Sequence, residues 1–291
     1  MTSRIYLVFS FMISSTLQAQ IPREIASFDY SLLPNINNTD ISETSIRLNH
    51  QFNWANTTLQ LHGTYLQRQY QFYGNTALIN FGNFETTHFL QFKGTVNRSL
   101  GKNWKLQSEI APSLASNLEN GLSTRDWVLN QSVGLVKEWN GPNRKVSLKF
   151  GAGRGTFFGK PQFVPILKYG ISHGNKWSLN LGFPKSDYIQ VINERNSIAS
   201  FIAVNGTYTN LSGNISIDDL GTFEHAKLVQ NGIDFGLEYL FRIQPNFTTS
   251  LKSGYSMVNS LEIQDENENI LYDFDPNGSV YISIGLKYNI K

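Results

Sequence analysis

The last thirteen residues of the chain, 279–291, constrain the fold most, because apolar and polar side chains alternate there without a break. Alternation over about eleven residues is typical of a β-strand with one apolar face. Strands of soluble proteins cluster near about 5 to 6 residues, whereas a strand that crosses a bilayer at a tilt needs about 9 to 11. The length therefore predicts a membrane-spanning strand with its apolar face toward lipid and its polar face inward. The apolar positions are Val280, Ile282, Ile284, Leu286, Tyr288 and Ile290.

The start of the chain has the pattern of an export signal. Arg4 supplies the positive charge, residues 5–13 are apolar, and a polar exit leads to Ala19, after which cleavage is expected. The apolar part is too short to cross a bilayer as a helix, so an N-terminal membrane anchor is the weaker alternative. We predict a signal peptide at 1–19 and one barrel domain at 20–291, exported to the outer membrane of a Gram-negative cell.

Composition excludes several other classes of protein. The chain has no cysteine, which leaves no disulfide framework and no thiol chemistry. Its net charge of +2 comes without a basic cluster, so nucleic acid is not an expected partner. Outside the export signal, no segment approaches the roughly eighteen consecutive apolar residues of a transmembrane helix. A membrane-embedded form must therefore be a closed barrel.

Alternation along the mature chain predicts an all-β fold, a transmembrane antiparallel barrel of about fourteen strands, with twelve as the other even count. No linker rich in proline, glycine or serine divides the chain. The predicted strands are 24–33, 44–54, 58–70, 87–98, 104–115, 126–139, 145–155, 163–173, 177–188, 198–208, 214–219, 232–242, 247–258 and the closing strand.

Short and long connections alternate between these strands, and outer-membrane barrels have short periplasmic turns and longer external loops. The short connections are 55–57, 99–103, 140–144, 174–176, 209–213 and 243–246. The long ones are 34–43, 71–86, 116–125, 156–162, 191–197, 220–231 and 259–278. The pattern predicts that the short turns face the periplasm.

Four of the five tryptophans, Trp54, Trp104, Trp139 and Trp177, lie beside short turns. Tryptophan favours the membrane interface, because its ring is apolar while its N–H must stay hydrated. We predict that these four residues form a belt at one interface. The alternative is that they pack near hairpin ends in a soluble protein.

Two segments also resemble known sequences. The stretches 165–170 (PILKYG) and 176–186 (KWSLNLGFPKS) are similar to an uncharacterised outer-membrane β-barrel family of Bacteroidota-type bacteria, classed as a domain of unknown function. This resemblance implies a fold and a compartment but no reaction and no functional residues. The closing strand resembles the C-terminal signal that barrel-assembly machinery reads, with Gly285, Tyr288 and Ile290 in its glycine, aromatic and hydrophobic positions, although Lys291 follows. The implied partners are that machinery during biogenesis and outer-membrane lipid.

Charged residues at the inward positions are the candidate lumen lining. The basic ones are Arg47, Lys93, Lys105, Lys145, Lys149, Lys252 and Lys287, and the acidic ones are Glu109, Glu138, Asp234 and Glu238. One interpretation is a water-filled pore for small solutes with slight anion preference. The other is a barrel filled by paired charges, structural in role, whose exposed loops, above all 71–86, bind a partner or surface.

A catalytic, nucleotide-binding or metal-binding function has weak support in the sequence. His50 and His62 fall on adjacent predicted strands, but no motif marks a nucleophile for an outer-membrane esterase or phospholipase. The glycine-rich run 151–155 is followed by no helix, and the acidic run 273–278 has Ile284 where a calcium loop needs glutamate. We therefore expect no enzyme, no cofactor and no metal. The oligomeric state is left open.

Overall fold

The computed structural model describes residues 23–73, 84–217 and 220–290. The predicted signal peptide at 1–19 lies outside these residues, as does most of the loop predicted at 71–86. The strands are β1 (Arg23–Leu33), β2 (Thr39–Trp54), β3 (Thr57–Phe72), β4 (Thr86–Gly101), β5 (Trp104–Ser116), β6 (Trp127–Asn140), β7 (Arg144–Gly155), β8 (Gln162–His173), β9 (Trp177–Gly182), β10 (Lys185–Val191), β11 (Asn196–Asn210), β12 (Ile215–Ile217), β13 (Gly221–Phe223), β14 (Lys227–Gln244), β15 (Phe247–Gln264), β16 (Ile270–Asp273) and β17 (Ser279–Ile290).

Fourteen of these strands form a closed antiparallel barrel, which confirms the predicted fold class. β1 to β11 pair in sequence order, β1 pairs with β17, β17 with β15, and β14 closes the ring by pairing with both β11 and β15. β16 adds to the end of β15, and β12 and β13 form a separate hairpin. Closure leaves no unpaired edge in the wall, as a membrane-spanning sheet requires.

Two strand predictions were wrong in ways that offset each other. The segment 177–188 is not one strand but two, β9 and β10, joined by residues 183–184. Pro184 has no N–H for a ladder, and Gly182 takes a φ of +145°, which favours glycine. The segment 214–219 is not part of the wall, because its strand β12 pairs only with β13. The strand count is therefore right although these two assignments were not.

Because of these two errors, two connections were assigned to the wrong end of the barrel. Residues 192–195, placed in a long external loop, join β10 to β11 at the short-connection end. Residues 209–213, placed in a short turn, belong to the end of β11 and the start of the connection 211–226, which runs along the long-connection end. The other connections at the short end are 55–56, 102–103, 141–143, 174–176 and 245–246.

The outer face of the wall is apolar. In β17, Ile284 is 59% exposed and lies between Tyr30 of β1 and Leu251 of β15, which are also exposed. The neighbouring residue Ser283 is only 3% exposed, because successive side chains of a strand point to opposite faces. Among the described residues, no helix has the length and apolar character needed to cross a membrane.

Candidate functional site

The inner face of the barrel can be identified from contacts between strands that are not neighbours, because only a concave wall brings such strands together. Arg68 of β3 donates to Gln230 of β14 at 3.4 Å, and Lys252 of β15 lies 3.5 Å from Asp29 of β1. These side chains occupy the strand face opposite the exposed apolar positions. The inner face is therefore the one on which the predicted charged residues lie.

On the wall formed by β14, β15, β17, β1 and β2, four of the five predicted lining charges are in ion pairs: Arg47, Glu238, Lys252 and Lys287. Asp29 is 4% exposed and accepts from Arg47 as well as pairing with Lys252. Nearer the short-connection end, Lys287 donates to Glu238 at 2.9 Å. A buried pair of opposite charges needs such contacts, because an isolated buried ion is strongly unfavourable.

Three other predicted lining residues, Asp234, Lys105 and Lys145, have different surroundings. Asp234 of β14 accepts from Asn205 at 2.8 Å and from Ser256. Lys105 donates to Glu138 at 2.7 Å between the neighbouring strands β5 and β6. Lys145 is exposed close to the short-connection end of β7. The structure thus divides the predicted residues among several places and does not bring them into one cluster.

A second group of charges lies on the wall formed by β4 to β8. Lys149 interacts electrostatically with Glu109 and with Lys93, and it also donates to Gln107 of β5. To reach Gln107, its side chain crosses β6 at Gly134, where a Cβ would lie 3.2 Å from Lys149 Cε. Lys168 of β8, which the sequence analysis omitted, belongs to the same group. Its place on the same strand face as Val164, Ile166 and Gly170, between the outward Leu167 and Tyr169, was the available signal.

Arg68 was also omitted from the predicted lining, as were its partner Glu43 and the buried Asp29. Arg68 is 6% exposed, donates to Glu43 at 2.7 Å and reaches the opposite wall at Gln230. Its place in the predicted strand 58–70, two positions before the inward Tyr70, was the available signal. The side chain narrows the lumen just below its long-connection end.

That end is filled by an apolar cluster, which we call the cap. Inward residues of β2, β3, β14 and β15 converge there with residues of the connections. Ile36, Phe84 and Leu211 are 0% exposed, and Phe274 stacks on Phe72 with ring centroids 5.2 Å apart. The buried members are Ile36, Ile41, Tyr70, Phe84, Leu211, Ile215, Ile217, Ala226, Leu228, Val258, Leu261, Ile263 and Phe274.

Beside the cap, the connection 117–126 is held to the wall by buried polar contacts. Asp126 is 0% exposed and accepts from Asn210 at 2.7 Å, while Lys227 donates to Asn210 at 2.8 Å. Burial alone would raise the pKa of Asp126. Hydrogen bonds from the Ser123 backbone and from the side chains of Ser116, Asn210 and Ser123 outweigh it, so the pKa lies below its ordinary value.

The same end narrows because β9 and β10 are short. Asn210 of β11 pairs in parallel with Ser116 of β5, although five strands separate β5 from β11 around the wall. The connection 156–161 packs on this region, and a Cβ at Gly206 would lie 2.3 Å from the Phe157 carbonyl oxygen. The structure therefore closes the long-connection end from the side as well as with the cap.

The four predicted belt tryptophans lie at the short-connection end. Trp54 and Trp139 are close to the ends of β2 and β6 and are 58% and 46% exposed, while Trp104 and Trp177 begin β5 and β9. Trp127, the first residue of β6, lies at the other end. All four are thus at one level of the barrel, as a belt requires.

In the closing strand, the three signal residues differ in their surroundings. Gly285 faces inward, where a Cβ would lie 2.4 Å from Asp29 Oδ1 and 2.6 Å from Ser250 Oγ. Tyr288 and Ile290 face outward and are 36% and 43% exposed. The glycine therefore leaves the space that the buried Asp29 occupies.

Two histidines of the described chain have polar neighbours on adjacent strands. His62 Nδ1 lies 2.6 Å from Asn49 Oδ1, and His88 Nδ1 lies 2.9 Å from the hydroxyl of Tyr65. In the acidic run, Asp273 accepts from the backbone of Asp275 at 2.8 Å. Over the described ranges, no three histidine or acidic side chains are grouped as metal ligands.

A closed antiparallel wall of fourteen strands with an apolar outer face has the architecture of a membrane-spanning β-barrel. Residues 39–289 match the family described as a domain of unknown function, DUF6268. The chain belongs to this family. No curated protein matches the chain.

Solved structures with a similar fold include an outer-membrane channel, a porin and LpxR. An outer-membrane channel from Pseudomonas putida F1 is 12% identical, with a TM-score of 0.45, over 95% of this chain and 100% of that one. The NanC porin is 8% identical, with a TM-score of 0.42, over 91% of this chain and 100% of the porin. LpxR from Salmonella typhimurium is 7% identical, with a TM-score of 0.39, over 91% of this chain and 100% of LpxR.

Proposed function

We propose that this protein is an outer-membrane channel for small polar solutes, closed at its outer mouth by the cap. The observation that carries the proposal is the contrast between the two levels of the inner face. Below the cap, the wall carries charged and amide side chains such as Arg47, Glu109 and Lys149. A lining of this kind favours hydrated solutes, and its excess of lysine favours anions.

The cap makes passage conditional. A polar solute cannot cross a dry apolar cluster without losing its hydration, which costs several kcal/mol for a charged group. The cap is built from connections and strand ends, whereas the wall below it is held by continuous ladders. Movement of connections such as 265–278 would open the mouth while the barrel stays folded.

Localisation and assembly belong to the same proposal. The apolar outer face of the wall contacts outer-membrane lipid, and the short connections face the periplasm. The signal peptide at 1–19 directs export, and barrel-assembly machinery recognises the closing strand through Gly285, Tyr288 and Ile290. These roles are supported by the outward side chains of Tyr288 and Ile290.

Planar-bilayer recordings test the channel. Phe274→Ala removes a buried ring from the cap, a change that costs about 3–5 kcal/mol in a packed core. We expect rare, brief openings for the unmodified protein and at least tenfold more open time for F274A. Leu122→Ala, at a loop residue that is 68% exposed, is the matched control and should behave like the unmodified protein. Heat-dependent mobility in gels verifies that each barrel is folded.

Absence of conductance steps in both the unmodified protein and F274A would remove the channel. It would favour the second candidate, a capped scaffold whose outer connections bind a partner or surface. The observation behind that candidate is the fully buried centre of the cap together with the Arg68 contact across the lumen. Lipid hydrolysis by an outer-membrane esterase or phospholipase has no comparable support.

A further inference from the structure

Three lysines lie on the inner face of β4 to β8, with the carboxylates of Glu109 and Asp187 nearby. We call Lys93, Lys149 and Lys168 the lysine patch. Lys149 and Lys168 each interact electrostatically with Lys93 and with Glu109. Across the described residues, none of the three lysines is in an ion pair, whereas Lys252, Lys287 and Arg47 on the opposite wall all are. The patch therefore carries an excess of positive charge.

The register of β7 and β8 makes this excess unfavourable. Lys149 and Lys168 are direct cross-strand partners. Like charges directly opposite each other destabilise a sheet. Lys149 donates to the neutral amide of Gln107, which does not cancel its charge. An anion held between the two ammonium groups would remove the repulsion.

The wall beside these lysines leaves space for such an anion. Several inward positions near them are glycines, including Gly134, Gly151 and Gly153, which add no side chain of their own. The side chain of Lys149 lies over Gly134, and that of Ile166 lies beside Gly153. A cavity of about 70 Å³ lies there, lined by the two lysines, Glu109, Asn130 and Ser132 and bounded by Phe157 and Phe183. Since one water needs roughly 10–15 Å³, the cavity has the size of a compact anion with few waters.

A buried polar atom at the edge of this cavity is also unsatisfied. Asn130 Nδ2 donates to Ser113 at 3.3 Å, but Asn130 Oδ1 has no hydrogen-bond partner in the described structure. An unpaired buried acceptor costs about 1–3 kcal/mol. A hydrogen phosphate would supply one O–H for this acceptor and several oxygens for the lysines, which are donors only.

We propose that the lysine patch binds a compact oxyanion of the phosphate type. Strong hydrogen bonds from Lys149 and Lys168 hold the oxyanion, while Lys93 adds long-range attraction and Glu109 limits the affinity. As an assignment of the solute class that the channel carries, this inference rests on the proposed function. Binding itself does not depend on conduction.

Isothermal titration of the purified full chain with inorganic phosphate tests the site. The protein is held in a non-ionic detergent and checked for residual phospholipid phosphorus, so that free phosphate is the ligand. We expect saturable binding that weakens with added sodium chloride because salt screens the charges. The double variant K149Q/K168Q should lose at least tenfold in affinity. Lys102→Gln, at an exposed position of the short connection 102–103, should leave affinity unchanged.

The variant Glu109→Gln should change the phosphate affinity in the opposite direction. Removing its negative charge should raise phosphate affinity severalfold, a gain that misfolding cannot produce. Lack of saturable binding, equal affinity in K149Q/K168Q, or no gain in E109Q would overturn the proposal. Parallel bilayer recordings separate the two hypotheses: binding without conductance removes the channel and keeps the site, and conductance without binding does the reverse.

Discussion

At the scale of single residues, the closing strand depends on a missing side chain. A Cβ at position 285 would lie 2.4 Å from Asp29 Oδ1 and 2.6 Å from Ser250 Oγ. Asp29 cannot move away easily, because Arg47 and Lys252 both hold it. The inward glycine and the buried ion cluster are therefore parts of one arrangement that joins β17 to its neighbours.

We expect Gly285→Ala to destabilise the barrel by about 1–3 kcal/mol, the usual cost of overpacking. The measurement is the midpoint of unfolding in guanidinium, followed by tryptophan fluorescence in detergent. Gly63→Ala is the control, since a Cβ at that strand position would meet nothing within 4 Å. Equal midpoints for the two variants would show that Asp29 and Ser250 adjust without cost.

Which residues would be charged and inward could be predicted from alternation, but not which of them would pair. Lys252 and Lys149 have the same pattern in the sequence, yet one meets Asp29 and the other faces Lys168. The difference arises from the tilt and register of the closed sheet, which bring together residues distant in sequence. Lys168 and Arg68 also lie at inward positions of the alternation, but the sequence analysis left them out of the candidate lining.

At the scale of elements, a buried carboxylate ties the connection 117–126 to β11. Asp126 accepts from Asn210 at 2.7 Å, and the pKa of Asp126 is lowered because its hydrogen bonds outweigh desolvation. A group with a lowered folded-state pKa stabilises the fold above its unfolded pKa. That contribution disappears as the pH falls through the lower, folded pKa.

We therefore expect Asp126→Asn to be about 1–3 kcal/mol less stable than the unmodified protein near pH 7, where the carboxylate makes charge-assisted hydrogen bonds. The difference should shrink below about pH 4, the ordinary range of an aspartate, and vanish at lower pH. Unfolding midpoints from pH 2 to 7 measure it. Glu119→Gln, at an exposed carboxylate of the same connection, is the control. A difference that stays constant with pH would contradict the assignment.

Elements with long alternation could be predicted closely, whereas the cap could not. Ile36, Leu211 and Phe274 lie in connections, where apolar residues follow no period that indicates burial. Leu228 and Ile263 lie in β14 and β15, but both fall in connections predicted from the sequence, 220–231 and 259–278, so their inward position was not predicted. The division of β9 from β10 was signalled only by Pro184.

At the scale of the whole molecule, the tryptophans report how the barrel sits in a bilayer. Trp54 and Trp139 lie at the short-connection end and are more than two-fifths exposed, while Trp127 lies at the other end and is 50% exposed. If the apolar wall spans the membrane, these two groups mark opposite interfaces. A barrel that packed its apolar face against protein would hold them at no fixed depth.

The depth of each tryptophan in the bilayer can be measured in vesicles with variants that keep one tryptophan and have phenylalanine at the other four positions. Lipids brominated near the headgroup should quench Trp54, Trp139 and Trp127 more strongly than lipids brominated at the bilayer centre, because tryptophan rings stay where the N–H is hydrated. When all barrels insert in one direction, an aqueous quencher added outside should reach either Trp54 and Trp139 or Trp127, but not both groups. Equal access to both groups would mean that the wall does not cross the bilayer. That result would contradict the proposed channel. It would also contradict the roles of the cap as its gate and of the lysine patch as its solute site.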